Sequence, residues 1–362
     1  MKKNIYIFSG TTAEVIKLAP VIKEFQRRKI EFKMITSGQT RIRFEDLVGY
    51  IGKIKIFKSF PEKENKSSLL SFVKWFVNTF YLTMITLRSE FRGLNKENSY
   101  FIVHGDTVSS LIGAVVASIY RLKIVHIESG LRSYNFFEPF PEEICRFIII
   151  HLADILFAPN SWAKENLRNL RGTIINTEHN TVAESVRWAL SSKSKINPIV
   201  RGKYYILTMH RQEHIVFRGE WTKGMIEFVI NNSPSNLKCV LVMHHWTKNV
   251  LQKLNLSKNI WKRVKVVERL PYIEFINLIN NSQYYAGDGC SNQEEAYYMG
   301  KPYLALRNLT ERIEGLDRNV LIGYDNRETI KSFLNNYEKY NYGAIYPKTS
   351  PSKIIVNYLV SH

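Results

Sequence analysis

Apolar residues along this chain fall into short unbroken runs that alternate with stretches of helical period. The runs in the first half are Asn4–Phe8, Phe32–Thr36, Tyr100–His104, Ile124–Ile127 and Asp154–Ala158. Those in the second half are Tyr204–Met209, Cys239–Met243, Val264–Val267, Tyr284–Ala286 and Pro302–Leu306. Runs without an exposed polar alternation suit strands covered on both faces, as in parallel sheets. Between them lie amphipathic patterns such as 15–28, with Val15, Leu18, Ile22 and Phe25 on one side. The alternation predicts an α/β protein of two Rossmann-like, doubly wound domains whose strand ends face a central cleft.

The expected division is 1–190 for the first domain, 191–203 for a polar linker containing Pro198, and 204–362 for the second, with the C-terminal helix returning to pack on the first. A length of 362 residues suits two such domains. One segment departs from the pattern. Leu69–Leu87 is apolar on more than one face, with Leu69, Phe72, Phe76 and Phe80 on one side and Trp75 and Met84 on another. It lies where a crossover helix must join two strands, which argues against a span and for a buried or dimer-forming helix. The flanking Lys66, Lys74, Arg88 and Arg92 leave an interfacial helix on an anionic membrane as the alternative.

Composition adds two constraints. The cysteines, Cys145, Cys239 and Cys290, are odd in number and far apart, and no metal spacing occurs. They read as reduced thiols, in keeping with a cytoplasmic protein without a metal site. The formal charge is +19, a field that attracts anions. No nucleic-acid-binding signature accompanies it, which leaves a phosphorylated small molecule or a membrane face.

Ligands in open parallel sheets bind beyond the carboxyl ends of the strands, so the turns after the strands are the places to look. They read Ser9–Glu14, His104–Thr107, Glu128–Arg132, His210–Glu213 and Gly287–Ser291. Asp106, Glu128 and Glu142 would gather carboxylates whose mutual repulsion favours proton transfer near neutral pH. For Glu142 and Glu143 the competing expectation is a solvated first helical turn after Pro139-Phe140-Pro141. His210 suits an acid, a base or a phosphate donor. Gly289, Cys290 and Ser291 open a helix, where backbone N–H groups favour a diphosphate. Glu295, one turn further on, could hold a ribose. Arg132 and Arg211 lie in the same turns and are candidate substrate contacts.

The stretch from His104 to Asn160, containing HGDTVSS and HIESGLRSYNFFEPFPEEICRF, resembles the non-hydrolysing UDP-N-acetylglucosamine 2-epimerases. VIKLAP, SGQTR, NTV, MHRQE, QEEAYYMGKP and TERIEG extend the resemblance from about Asn4 to about Gly323. It implies a GT-B-like fold and a cofactor-free 2-epimerisation of UDP-N-acetylglucosamine or a close 2-acetamido sugar nucleotide, supplying surface polysaccharide precursors. UDP is eliminated with the C2 proton and then added back. The resemblance further implies Asp106, Glu128, Glu142 and His210 as catalytic groups, and Lys17, Arg146, Glu295 and Arg312 as substrate or UDP contacts. It implies a UDP-sugar partner, while the apolar segment Leu69–Leu87 points to a homodimer. Three departures stand out. The family's G-T-R-P-E is Gly10-Thr11-Thr12-Ala13-Glu14, its D-S-G-G is Asp288-Gly289-Cys290-Ser291, and its G-Q-H-R, tied in bacterial members to a second, activating substrate site, is Gly38-Gln39-Thr40-Arg41. With a lost Arg at Thr12, a GT-B glycosyltransferase acting on a lipid-linked acceptor is the alternative reading.

Overall fold

In the computed structural model, which describes residues 3–62, 69–192, 199–211, 214–215, 218–243, 258–316 and 318–362, the chain forms two compact units. One comprises Met1–Ser185 together with Pro347–His362, and the other Val186–Tyr346. The expected linker falls largely on 193–198, outside the described residues.

The first unit is built on a seven-stranded parallel sheet: β1 (Asn4–Ser9), β2 (Lys33–Thr36), β3 (Ile56–Ser59), β4 (Ser99–His104), β5 (Lys123–Ile127), β6 (Ile155–Ala158) and β7 (Thr173–Asn176), in the order β3-β2-β1-β4-β5-β6-β7. The inner strands read as unbroken apolar runs because both faces are buried: Ile5, Ile7, Phe101, Ile102, Val125 and Leu156 are all at or near zero exposure. The helix Thr12–Arg27 starts at a capping box, in which the Thr11 side chain accepts from the Glu14 N–H and Glu14 accepts from the Thr11 N–H. The C-terminal helix Pro351–Ser361 packs against it. Its start is fixed by Glu184, which accepts from the Ser352 N–H and hydroxyl.

The second unit holds a six-stranded parallel sheet: β8 (Tyr204–Thr208), β9 (Lys238–Met243), β10 (Val264–Glu268), β11 (Tyr285–Gly287), β12 (Tyr303–Ala305) and β13 (Val320–Ile322), ordered β10-β9-β8-β11-β12-β13. Its core gathers Leu207, Leu241, Ala286, Leu304 and Phe333. Two doubly wound parallel sheets are therefore present, as the apolar runs predict. In each, the strand order reverses once, between β1 and β4 and between β8 and β11. Turns at such a reversal diverge and leave a crevice at the carboxyl edge.

The segment containing Leu69–Leu87 is one helix, Leu69–Phe91. Trp75, Leu87 and Phe91 are buried in the first unit's core, with Phe72, Phe76, Phe80 and Met84 packed against it. The opposite side exposes Val73, Val77, Tyr81 and Ile85. Among the described residues, no helix is long and apolar enough to cross a membrane.

Candidate active site

The two turns beside the first unit's reversal point are joined by Glu14. Its buried carboxylate accepts from the Gly10 and Thr11 N–H groups at 2.8 and 2.7 Å and from the Thr107 and Ser110 hydroxyls, both at 2.7 Å. Burial raises its pKa, and these donors only partly offset that. The turns touch so closely at Gly10 that a Cβ there would lie 1.9 Å from the Ser109 hydroxyl oxygen. Thr12 is buried. Its hydroxyl donates to the Arg41 carbonyl and accepts from the Arg43 N–H.

Beyond β4 and β5 the charged groups interleave. Asp106 pairs with Arg146, and Arg146 pairs in turn with Glu143. Glu143 also accepts from Arg132 Nε at 2.5 Å and from the Ser133 N–H at 3.2 Å. The expectation of a solvated first turn fails for Glu143. It is fully buried at the start of the helix Glu142–Leu152 because two guanidinium groups need a common counter-charge there. Glu142, beside it, is half-buried, with one carboxylate oxygen out of contact with solvent. Glu128 is buried too. Lys17 Nζ and Asn180 Nδ2 donate to its Oε2 at 2.6 and 2.7 Å, and His104 Nε2 lies 3.6 Å away. Asp106 and Glu128 are thus each matched by a cation, rather than set against one another as the residue types alone suggest.

Two residues in this array carry signals that sequence reasoning passes over. Glu143 is hidden by its neighbour Glu142. Asn180, in the NTV stretch, holds Glu128 through its amide while its Oδ1 accepts from the Val182 N–H, so it serves a carboxylate and a helix start at once.

In the second unit, the turns after β8 and β11 meet at Asp288. This fully buried carboxylate accepts from the N–H groups of His210 at 3.1 Å and Arg211 at 2.9 Å. His214 Nδ1 lies 3.1 Å from it and His210 Nδ1 3.3 Å. Burial pushes its pKa up, but the two histidines and the Arg211 N–H outweigh that and hold it below the usual carboxylate range. Gly289 precedes the helix Cys290–Met299. A Cβ at that glycine would lie 2.9 Å from the His210 ring and 2.1 Å from Asn292 Oδ1, so a larger residue would have to displace these side chains. The Cys290 sulfur receives Arg211 Nη2 at 2.6 Å and the Arg307 guanidinium. Burial raises the Cys290 thiol pKa although both arginines pull it down. Glu295 accepts from Asn292 Nδ2 at 2.9 Å, and Arg312 pairs with the buried Glu294 at 2.7 Å. Ser291 is the second residue of the same helix, whose N-cap, Gly289, supplies no side-chain cap. Arg307, fully buried beside this helix start, directly follows the run Pro302–Leu306 and is a further cation, outside the turns singled out from the sequence.

Each unit thus supplies one polar constellation: Asp106, Glu128, Glu142, Lys17, Arg132 and Arg146 in the first, and His210, Arg211, Gly289, Cys290, Ser291, Glu295 and Arg312 in the second. The first offers carboxylates and cations suited to moving a proton. The second offers a helix start and guanidinium groups suited to an anion.

Comparison with known proteins gives a consistent result. The family model described as UDP-N-acetylglucosamine 2-epimerase matches residues 77–354. A UDP-N-acetylglucosamine 2-epimerase homolog from Methanococcus maripaludis is 32% identical over 356 residues, covering 94% of this chain and 95% of the relative. The UDP-N-acetylglucosamine 2-epimerase of Methanocaldococcus jannaschii is 28% identical, covering 90% of each chain. Among solved structures, the Neisseria meningitidis UDP-GlcNAc 2-epimerase bound to UDP-GlcNAc superposes with a TM-score of 0.84 at 26% identity, covering 99% of this chain and 100% of that one. These are similarities of the whole chain, and the GT-B-like class of two Rossmann-like domains holds for it.

Proposed function

The chain belongs to the UDP-N-acetylglucosamine 2-epimerase family, and from that premise we propose that it interconverts UDP-N-acetylglucosamine, or a close 2-acetamido sugar nucleotide, with its C2 epimer. The observation that carries the reading is the array after β4 and β5, where Asp106 and Glu128 stand at adjacent strand ends, each with a cation at its side. In the proposed reaction a carboxylate removes the C2 proton. The C–H pair becomes the C1–C2 double bond as the C1–O bond breaks, and that bond's electrons leave with UDP. Re-addition of UDP to C1, with a proton delivered to the other face of C2, completes the inversion. Asp106, Glu128 and Glu142 are the proposed proton-transfer groups. Lys17, Arg132 and Arg146 exchange part of their carboxylate pairing for contacts with the bound sugar and diphosphate.

UDP is assigned to the second unit's groups. The N–H groups of Gly289, Cys290 and Ser291 take the diphosphate, with Arg211, Arg312 and His210 beside it, and Glu295 takes the ribose. Of the cations available to replace the family's arginine at Thr12, Lys17 is engaged by Glu128 and Arg312 by Glu294. Arg211 and Arg307 converge on Cys290, and Arg307 also pairs with Glu311 at 3.4 Å, so these cations too are engaged within the second unit. The glycosyltransferase reading is not favoured, since the relatives over the whole chain are named epimerases. The exposed stripe Val73, Val77, Tyr81 and Ile85 supports a homodimer rather than a membrane contact, and we assign the enzyme to the cytoplasm, upstream of surface polysaccharide assembly.

The test is direct. Purified protein with UDP-N-acetylglucosamine alone should give a second sugar nucleotide, inverted at C2, in the proton NMR spectrum. Release of UDP only when a lipid-linked acceptor is added would overturn the reading.

A further inference from the structure

We propose that His126 is a positioning residue, a single buried imidazole that sets the turn carrying Asp106 against the turn carrying Glu128. The ring lies on β5 and is fully buried, so it does not touch substrate itself. Its Nε2 is 2.7 Å from the Gly105 carbonyl oxygen, and its Nδ1 is 2.9 Å from the Ser129 hydroxyl. Gly105 immediately precedes Asp106, and Ser129 immediately follows Glu128. A carbonyl can only accept, so Nε2 carries the proton and donates. Nδ1 then accepts from the Ser129 hydroxyl, which fixes one neutral tautomer. Burial agrees with this, pulling the imidazole pKa down to about 4.

The backbone explains why such a tie is needed. Gly105 and Glu128 both take left-handed conformations, with φ of 65° and 66°. For glycine this is unstrained. For Glu128 it persists only where the surroundings over-determine it. The Gly105 N–H donates to the Ile127 carbonyl and the Ser129 N–H to the Phe157 carbonyl, both at 2.9 Å, so main-chain bonds anchor each turn to a strand. The Gly105–Ile127 bond already joins the turns on one side of Glu128, and the imidazole adds a second link, from Gly105 to Ser129 on its other side. The distance between two proton-transfer groups must hold to a fraction of an ångström, and this ring is placed to hold it.

The inference relies on the epimerase reading for its kinetic readout, and the experiment separates the two. His126→Gln keeps an amide donor for Gly105, His126→Leu removes both bonds, and Ser129→Ala removes only the second. The rate of deuterium entry at C2 should fall about 100-fold in His126→Leu, the order expected of an ångström-scale misplacement. His126→Gln should recover at least about tenfold of that, and Ser129→Ala should lose a few-fold. KM and UDP affinity should stay within about twofold, because the second unit is untouched. Wild-type exchange in folded His126→Leu overturns the inference, and so does an equal loss in the Leu and Gln variants with KM rising in step. Should His126→Leu not fold, exchange at the wild-type rate in both of the other variants overturns it. If the wild-type protein itself shows no exchange, the epimerase reading fails and ¹⁵N NMR decides the inference alone. An Nε2-protonated His126 that loses its fixed tautomer in Ser129→Ala upholds it, and an Nδ1-protonated ring contradicts it.

Discussion

Glu143 shows how the site is held together at the scale of single residues. Two guanidinium groups, Arg132 and Arg146, share its buried carboxylate, and Arg146 passes the linkage on to Asp106. Replacing it with Gln would leave Arg146, which is 1% exposed, with less than the counter-charge its burial demands. Breaking a buried pair from one side costs about 3 kcal/mol or more. Glu143→Gln is therefore expected to lower the melting midpoint by several degrees and to weaken catalysis together with it, as scanning calorimetry and turnover would report. Asp106→Asn and Glu142→Gln should behave differently: turnover falls by at least about 100-fold, while UDP affinity measured by calorimetry is nearly unchanged.

His126 gives a pH prediction with a definite sign. Its folded-state pKa, about 4, lies below the ordinary histidine value of 6.5. As pH falls through 6.5 the unfolded chain takes up a proton that the folded protein refuses, so stability drops until the pH reaches about 4. Between pH 7 and pH 5 this one group removes about 2 kcal/mol. His126→Gln should lose correspondingly less over that interval in denaturant titrations. An identical loss in both proteins would mean that His126 is not buried and neutral.

What the sequence reveals at this scale follows from locality. Asp106, Glu128 and His210 are legible because each follows a strand end directly. Asp288 stands in such a turn as well, but its work is done on the backbone of His210 and Arg211, nearly eighty positions earlier, through contacts that no local pattern encodes. Glu143 is illegible for another reason. Two consecutive glutamates after a Pro-Phe-Pro stretch look solvated until the arginines are placed around one of them.

At the scale of elements, the strands read from the sequence are the inner ones, covered on both faces, and the edge strand β10, while those it misses all lie at sheet edges. β3 and β7 close the two ends of the first sheet, and β13 one end of the second. Ile56–Ser59 alternates half-buried and exposed positions, and Val320–Ile322 is only three residues long. Edge strands need no continuous apolar run, and a flat apolar edge would invite aggregation. The helix Leu69–Phe91 was legible as a helix with too many apolar faces, but the stripe it leaves outside was not, because Phe72, Phe76 and Phe80 dominate the pattern. If Val73, Val77, Tyr81 and Ile85 bury against a second copy of the chain, Val77→Glu with Tyr81→Glu should turn a dimer into a monomer in sedimentation velocity. Both proteins should ignore anionic vesicles at physiological salt. An unchanged sedimentation coefficient would remove this stripe from the dimer contact.

On the scale of the whole molecule, two parallel sheets each present one reversal point, and the proposed chemistry is divided between them: carboxylates in the first unit, and a helix start with guanidinium groups in the second. A net charge of +19 adds a general attraction for a nucleoside diphosphate. The motif that the resemblance ties to an activating site in bacterial members is altered here. Thr40 stands in place of a histidine, and its N–H donates to the Gly10 carbonyl at 3.0 Å. The rate should accordingly follow a simple hyperbola in substrate, and a sigmoidal curve would show that an activating molecule still binds.

The proposed reaction breaks and rebuilds the C–H bond at C2 of a sugar nucleotide, and one measurement reaches that step without an acceptor, a coupling enzyme or a known partner. Incubated in D₂O with UDP-N-acetylglucosamine, the protein should place deuterium at C2 of the recovered sugar nucleotide, because the proton that returns has passed through an exchangeable acid. The label should vanish in Asp106→Asn and Glu142→Gln. Recovered substrate and product that carry only hydrogen at C2, across several 2-acetamido sugar nucleotides that the protein binds, would contradict the claim.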